Sequence, residues 1–328
     1  MRLTRRGVLA GLGGAPLVGA GGLPAARAQG TYPDRPVRII VPFGGGGAND
    51  ILGRLFGQKL AEKLGQPFVI ENRPGAAGQV GTEAAIRARP DGYTLVVNPS
   101  GPILANPGSE QPAYDVAKDL APVAVLATFP TFMMVAADSP IRTLGDLVSW
   151  AKARPANTGT FGFGGLSFRM LVAQLCQRAG IQMQDVVYRS SVEAINATAN
   201  GETTLAVTEP GPALAGLEGK RVRALTVSTP TRYPLAPDVP TTAEAGFPGL
   251  EQLGWIGLFA PAGTPPAVLA RLETVVAEAA RTADVRDRLA PLGLSAEGGG
   301  GEALRRMAMA DNALWPAIAR ESGISLVR

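Results

Sequence analysis

The stretch Pro36-Val-Arg-Ile-Ile-Val-Pro-Phe-Gly-Gly-Gly-Gly-Ala-Asn-Asp50 decides how this chain is read. Its first half is a short apolar run of β-branched residues, the pattern of a strand buried on both faces. Its second half is a glycine tract ending at Asn49-Asp50, read as the cap of a helix in which Leu52, Phe56, Leu60 and Leu64 recur every fourth residue. A strand (Phe68-Val-Ile70), a turn (Asn72-Arg-Pro-Gly75), a helix through Ala88, the turn Pro90-Asp-Gly92 and a strand (Tyr93-Thr-Leu-Val-Val97) follow. Strand and helix in alternation predict an α/β fold with a mostly parallel, doubly wound sheet.

After Pro122-Val-Ala-Val-Leu-Ala127 the alternation starts afresh and runs to Val222-Arg-Ala-Leu-Thr-Val227. Pro-rich loops then lead to Trp255-Ile-Gly-Leu-Phe-Ala260 and three helices beginning near Pro266, Ala283 and Glu302. So long a chain exceeds what one hydrophobic core organises. The expected division is residues 29–127 with 229–328 as a discontinuous first lobe and 128–228 as an inserted second lobe. Two crossings, near 127 and 228, make a hinge over a cleft.

Met1-Arg-Leu-Thr-Arg-Arg6, an apolar glycine-rich stretch to Leu23 and Ala26-Arg27-Ala28 read as a signal peptide over residues 1–28. Thr4-Arg5-Arg6-Gly7-Val8-Leu9 fits twin-arginine export, with ordinary secretion the alternative, and both lead to the periplasm. The whole chain carries 31 basic and 27 acidic residues, and Arg2, Arg5, Arg6 and Arg27 precede the cleavage site with no acid among them. Removing those four leaves 27 of each sign, so no net charge favours nucleic acid or an anionic membrane. No second apolar run is long enough to span a bilayer, and a soluble monomer is expected.

The chain has no histidine, which excludes a Ser-His-Asp triad, a Cys-His pair and any His-ligated metal. Cys176 is the only cysteine, so no intrachain disulfide forms, and its helical spacing in Leu171-Val-Ala-Gln-Leu-Cys176 reads as core. No carboxylate or tyrosine is visibly paired with a base near a glycine loop. The expectation is no enzyme, no cofactor and no metal.

A second segment repeats the opening design: Thr160-Phe-Gly-Phe-Gly-Gly-Leu-Ser167, again strand, glycine loop and helix. Glycine lets the backbone approach a ligand, and the helix start behind it adds partial positive charge, so each loop suits a carboxylate or phosphate. Gly44 to Gly47 lacks the Lys-Ser/Thr of a nucleotide P-loop, and the second loop has Ser167 where a dinucleotide fingerprint needs its third glycine. Arg189, after a strand and before a helix, is a candidate charge partner. Glu209, ending another strand, is a candidate acceptor for a ligand ammonium or a helix cap. Gly298-Gly-Gly-Gly301 has no strand before it and reads as a flexible connector.

Pro36 to Ile51, Val69-Ile-Glu-Asn-Arg-Pro-Gly-Ala-Ala-Gly78, Pro90-Asp-Gly-Tyr-Thr-Leu95, Pro237 to Pro248 and Leu258-Phe-Ala-Pro-Ala-Gly-Thr-Pro265 resemble the Bug family of periplasmic solute receptors, the binding proteins of tripartite tricarboxylate transporters. The resemblance covers nearly the whole chain after residue 28. It implies a periplasmic binding protein type II-like fold, two doubly wound α/β lobes closing on a carboxylate, with membrane permease subunits as partners. Phe43, Gly46, Gly47 and Asp50 fit the family's first loop, with Gly44 and Asn49 departing from it, and Ser100 matches a hydroxyl position that faces the ligand. Gly159, Thr160, Gly162 and Gly164 fit the second, while Gly165, Phe168, Arg189-Ser190 and Thr208 stand where Ser, His, Lys-Gly and Asp are usual.

The candidate ligand-binding set is thus Phe43, Gly44, Gly46, Gly47, Asn49, Asp50, Ser100, Thr160, Gly162, Phe163, Gly165, Arg189, Thr208 and Glu209. The departures remove polar groups and set Phe161 and Phe163 at the cleft mouth, which predicts a ligand more apolar than citrate or glutamate. Delivery of a small carboxylate to a transporter is the expected function. A ligand-sensing co-receptor on the same fold is the alternative.

Overall fold

The structure, a computed structural model, describes residues 32–101 and 114–322, so the expected signal peptide lies outside the described residues. β1 (Val37–Val41) is buried except at Arg38 and pairs in parallel with β2 (Phe68–Asn72) and β3 (Thr94–Pro99). α1 (Ala48–Leu64) lies on the face carrying Ile39 and Val41. A Cβ at Gly53 would sit 3.1 Å from Val41 Cγ2, and one at Gly57 3.4 Å from Ile39 Cδ1, so these two glycines let the helix settle directly on the strand. Ile40 joins a cluster with Ala85 of α2 (Gln79–Ile86), Val96, Phe259 and Leu304. Burial on both faces is why the run is uniformly apolar.

The first sheet continues with β4 (Leu120–Pro130), which follows a single helical turn, α3 (Val116–Asp119), and with β10 (Leu253–Pro261) and β11 (Ser295–Ala296). Its order is β11-β4-β10-β3-β1-β2. The second sheet holds β5 (Phe132–Ala136), β6 (Gly159–Phe163), β7 (Met183–Val187), β8 (Leu205–Thr208) and β9 (Val222–Val227) in the order β7-β6-β8-β5-β9. α4 (Leu144–Lys152), α5 (Leu166–Ala179), α6 (Ser191–Ala199) and α7 (Pro210–Glu218) connect its strands, and α8 (Pro266–Ala280), α9 (Ala283–Leu289) and α10 (Gly301–Ser322) follow β10. Both sheets are mixed rather than mostly parallel. β10 runs antiparallel to β3 and β4, and β5 antiparallel to β8 and β9, because these strands carry the chain between the sheets and back.

The crossings occur at Thr131, between β4 and β5, and after β9. The chain does not rejoin the first sheet at residue 229. Tyr233, Ala236 and Val239 pack with Phe132, Met134 and Val227 in the core of the second sheet, and Thr241 bridges Val227 in parallel. Only at Leu253 does β10 begin. Behind the sheets, Met170 and Ala173 of α5 pack with Leu304, Ala308 and Trp315 of α10. Cys176 on α5 is half-buried, and burial pushes its thiol up to about 11.

Gly298–Gly301 is an edge ribbon rather than a free connector. Gly298 N–H donates to Val125 O at 3.1 Å, Val125 N–H donates to Gly299 O at 2.7 Å, and Gly300 bridges Ala124. A Cβ at Gly301 would lie 2.5 Å from Pro122 O, so bare backbone is what fits against β4.

Candidate functional site

The carboxyl ends of the adjacent parallel strands β1 and β3 bring Phe43–Gly47 and Ser100 to one edge of the first sheet. The helix cap is Gly47, not Asn49-Asp50, and no side chain caps it. Asp50 instead sits inside the first turn and reaches back. Its Oδ2 accepts the Gly46 N–H at 2.9 Å and Arg54 Nε at 3.0 Å, and its Oδ1 accepts Asn72 Nδ2 at 3.0 Å. Asn72 Nδ2 also donates to Phe43 O at 3.1 Å, so one buried acid and one amide hold both ends of the loop.

Arg54 first, with the Gly46 N–H and Asn72 adding to it, holds the Asp50 carboxyl down at about 2 against the opposing effect of burial. With both oxygens engaged, Asp50 positions the loop. Gly46 has φ +86°, backbone that favours glycine, and its N–H is committed to Asp50. Gly44, Gly46 and Gly47 are exposed, with no heavy atom within 4 Å of where a Cβ would stand. They present open backbone at a helix start. Asn49 is half-buried with its Oδ1 unpartnered, and Ser100 is buried at the end of β3.

In the second sheet β6 pairs in parallel with β7 on one side and β8 on the other, so their carboxyl ends share an edge. That edge holds Gly164-Gly165, Arg189 and Thr208-Glu209. A Cβ at Gly164 would lie 2.4 Å from Ser191 N, so only glycine allows the two loops to touch. Ser191 Oγ donates to Glu209 Oε2 at 2.6 Å, and Thr208 Oγ1 shares its proton between the same oxygen and Glu209 O, each at 3.2 Å. Gly165 caps α5 without a side-chain bond. Arg189 is exposed; its N–H donates to Glu193 Oε2 at 3.2 Å, and its guanidinium has no partner among the described residues.

Other expected contacts have structural employment. Thr160, in the first half of β6, trades hydrogen bonds with Thr204: its Oγ1 accepts Thr204 N–H at 3.2 Å, and its N–H donates to Thr204 Oγ1 at 3.3 Å. Gly162 lies under the Tyr188 ring, with 2.8 Å between its Cβ position and Cε2. Phe161 and Phe163 are each 1% exposed, their rings stacked 5.6 Å apart, so neither stands at a cleft mouth. Pleat alternation is the cause: residues 161 and 163 share one face and 162 the other. The argument for an unusually apolar ligand loses its basis. Sequence reasoning missed Arg54, Asn72 and Ser191 as organisers, although Asn72 stood within quoted strings, and it matched Gly164 to the second loop without reading it as the point where two loops touch.

Against this geometry, the model of the tripartite tricarboxylate transporter family receptor matches residues 52–324. The chain belongs to this receptor family. The receptor is 34% identical over 317 residues to the UPF0065 protein in the tcbD-tcbE intergenic region of Pseudomonas sp. strain P51, covering 95% of this chain and 93% of that protein. It is similar in structure to Rpa4515 of R. palustris with adipate, at 31% identity and TM-score 0.78, covering 90% of this chain and 99% of that one. MatC (Rpa3494) from Rhodopseudomonas palustris with bound malate gives 30% identity and TM-score 0.76, covering 88% and 99%. The two-lobed periplasmic binding protein fold follows from the same likeness to periplasmic binding proteins, and the family consists of receptors, not enzymes.

Between the receptor's two sheets, Ser228 stitches the crossing segments. Its N–H donates to Thr131 O at 2.9 Å, and its Oγ accepts Thr131 N–H at 2.8 Å and donates to Gln252 O. Gln252 N–H returns to Ser228 O at 3.1 Å, while Gln252 Nε2 donates to Ser167 O at 3.1 Å, in the first turn behind the second glycine loop. Among the described residues no helix of the receptor is long and apolar enough to cross a membrane, and no metal-binding cluster occurs.

Proposed function

We propose that this receptor captures a small carboxylate between its two glycine loops and delivers it to the permease subunits of a tripartite tricarboxylate transporter. The carrying observation is the pair of uncapped helix starts, Gly47 and Gly165, each behind a glycine loop at the carboxyl ends of parallel strands in a different sheet. A carboxylate between them gains backbone N–H donors and the positive ends of two helices. Arg189 adds the unpaired cation. Malate and adipate in the structural relatives support the ligand class.

The segments 29–127 with 253–328, and 128–252, act as lobes about Thr131 and Ser228, and ligand stabilises the closed arrangement. Residues 1–28 serve as the export signal, of twin-arginine type, and the processed receptor works in the periplasm as a monomer. The test is a thermal-shift screen of the protein lacking residues 1–28 against mono-, di- and tricarboxylates, amino acids and aromatic acids. At least one carboxylate raises the melting temperature in a saturable way. No shift from any carboxylate contradicts the reading.

A further inference from the structure

An unused hydrogen-bond acceptor stands beside the second glycine loop. The strand order β7-β6-β8 puts Gly164-Gly165 between Arg189, after β7, and Glu209, after β8. Neighbouring strands lie about 4.8 Å apart, so the two charged residues leave the sheet roughly 10 Å apart, one on each side of the loop. Glu209 Oε2 takes the hydroxyl of Ser191 and shares that of Thr208 with the Glu209 carbonyl. Its other oxygen, Oε1, accepts nothing among the described residues. Ser191 in turn abuts Gly164, so the carboxylate is fixed relative to the loop. The first cluster differs, because both oxygens of Asp50 are engaged there.

A bare diacid whose second carboxylate comes near Glu209 is repelled, and at about 5 Å that repulsion weakens binding by between about fourfold, where water screens it fully, and a few hundredfold, at an effective dielectric constant of about 20. A ligand with a donor beside its carboxylate converts the repulsion into a charge-assisted hydrogen bond. We infer that Glu209 is a specificity residue, selecting carboxylates that carry a hydrogen-bond donor on the adjoining carbon, an ammonium ahead of a hydroxyl, while Arg189 takes a carboxylate. The inference rests on the carboxylate-receptor reading and goes further by choosing among carboxylates.

Calorimetric titration with matched acids tests it: succinate, malate and aspartate, which share one carbon skeleton, then propionate, lactate and alanine, then glutarate, 2-hydroxyglutarate and glutamate. In each set that binds, the amino acid binds at least about tenfold more tightly than the unsubstituted acid, with the hydroxy acid between. Glu209→Gln removes the ammonium advantage and leaves the unsubstituted acid equal or tighter, with the ligand-free melting temperature as the folding control. Unsubstituted acids binding as tightly as amino acids, binding confined to acids without a donor, or a ranking that survives Glu209→Gln overturns the inference while the receptor reading stands. If no carboxylate binds at all, the receptor reading fails and takes this inference with it.

Discussion

The carboxylate of Asp50 accepts the backbone N–H of Gly46 at 2.9 Å, so an acid inside a helix holds the loop that leads into it. The same oxygen takes Arg54 Nε at 3.0 Å. Asp50→Ala leaves the Gly46 N–H without its acceptor and Asn72 Nδ2 with Phe43 O alone, and destabilises the fold by about 1.5–3 kcal/mol, the range for hydrogen bonds to a charged group. The folded carboxyl is held at about 2 against 3.8 ordinarily. Its contribution is therefore complete above about pH 4 and is lost as pH falls through about 2. Urea unfolding across that window measures both effects, and in Asp50→Asn the fall with acid is smaller.

Glycines in the two loops are required for different reasons. Gly164→Ala drives a methyl to 2.4 Å from Ser191 N, a backbone atom that cannot move aside, and costs about 1–3 kcal/mol. Gly44→Ala meets nothing within 4 Å and changes stability by less than about 0.5 kcal/mol. Where Gly44 backbone touches ligand, that variant loses affinity without losing stability. Paired denaturation and titration of the two variants separate the roles.

Ser228→Ala removes the acceptor of Thr131 N–H and the donor to Gln252 O in one step. Both Ser228 and Thr131 are buried, so the unpaired groups cost about 2–3 kcal/mol together. Hydrogen exchange at Thr131 and Gln252 rises well above the rise seen in β1 if the damage is confined to the crossing segments. An equal rise everywhere contradicts a local hinge role.

Trp255 Nε1 donates to Asp311 Oδ2 at 2.7 Å, joining β10 to α10. Burial pushes the Asp311 carboxyl up to about 6 despite that bond. A folded value above the unfolded 3.8 means the stabilisation is complete below about pH 4 and is lost as pH rises through about 6. The change is at most about 3 kcal/mol. Asp311→Asn keeps an acceptor for the indole and flattens the decline, which melting temperatures between pH 4 and pH 7 detect.

Local pattern in the sequence was enough for most elements. The apolar run at Val37–Val41, the four-residue spacing of Leu52, Phe56 and Leu60, and the helices opening at Pro266 and Ala283 depend on neighbours a few residues away. What pattern does not carry is pairing between distant segments. Nothing near Tyr233 or Val239 tells which sheet they cover, and the Gly298–Gly301 tract becomes an edge ribbon only because Val125 stands opposite. At the site, the two glycine loops were legible as helix starts. Pleat direction was not, so Phe163 and Thr160 were grouped with residues that point elsewhere. Asp50 and Gly46 illustrate the remaining gap: their types suggested ligand contacts, and their mutual hydrogen bond makes them each other's partner.

Amide hydrogen exchange on the receptor with and without a bound carboxylate tests the central claim, capture between two glycine loops, most directly. Ligand is expected to slow exchange together in residues 43–48 and 163–167, with smaller changes at Thr131 and Ser228. Protection of one loop alone, or of neither while ligand is bound, contradicts it.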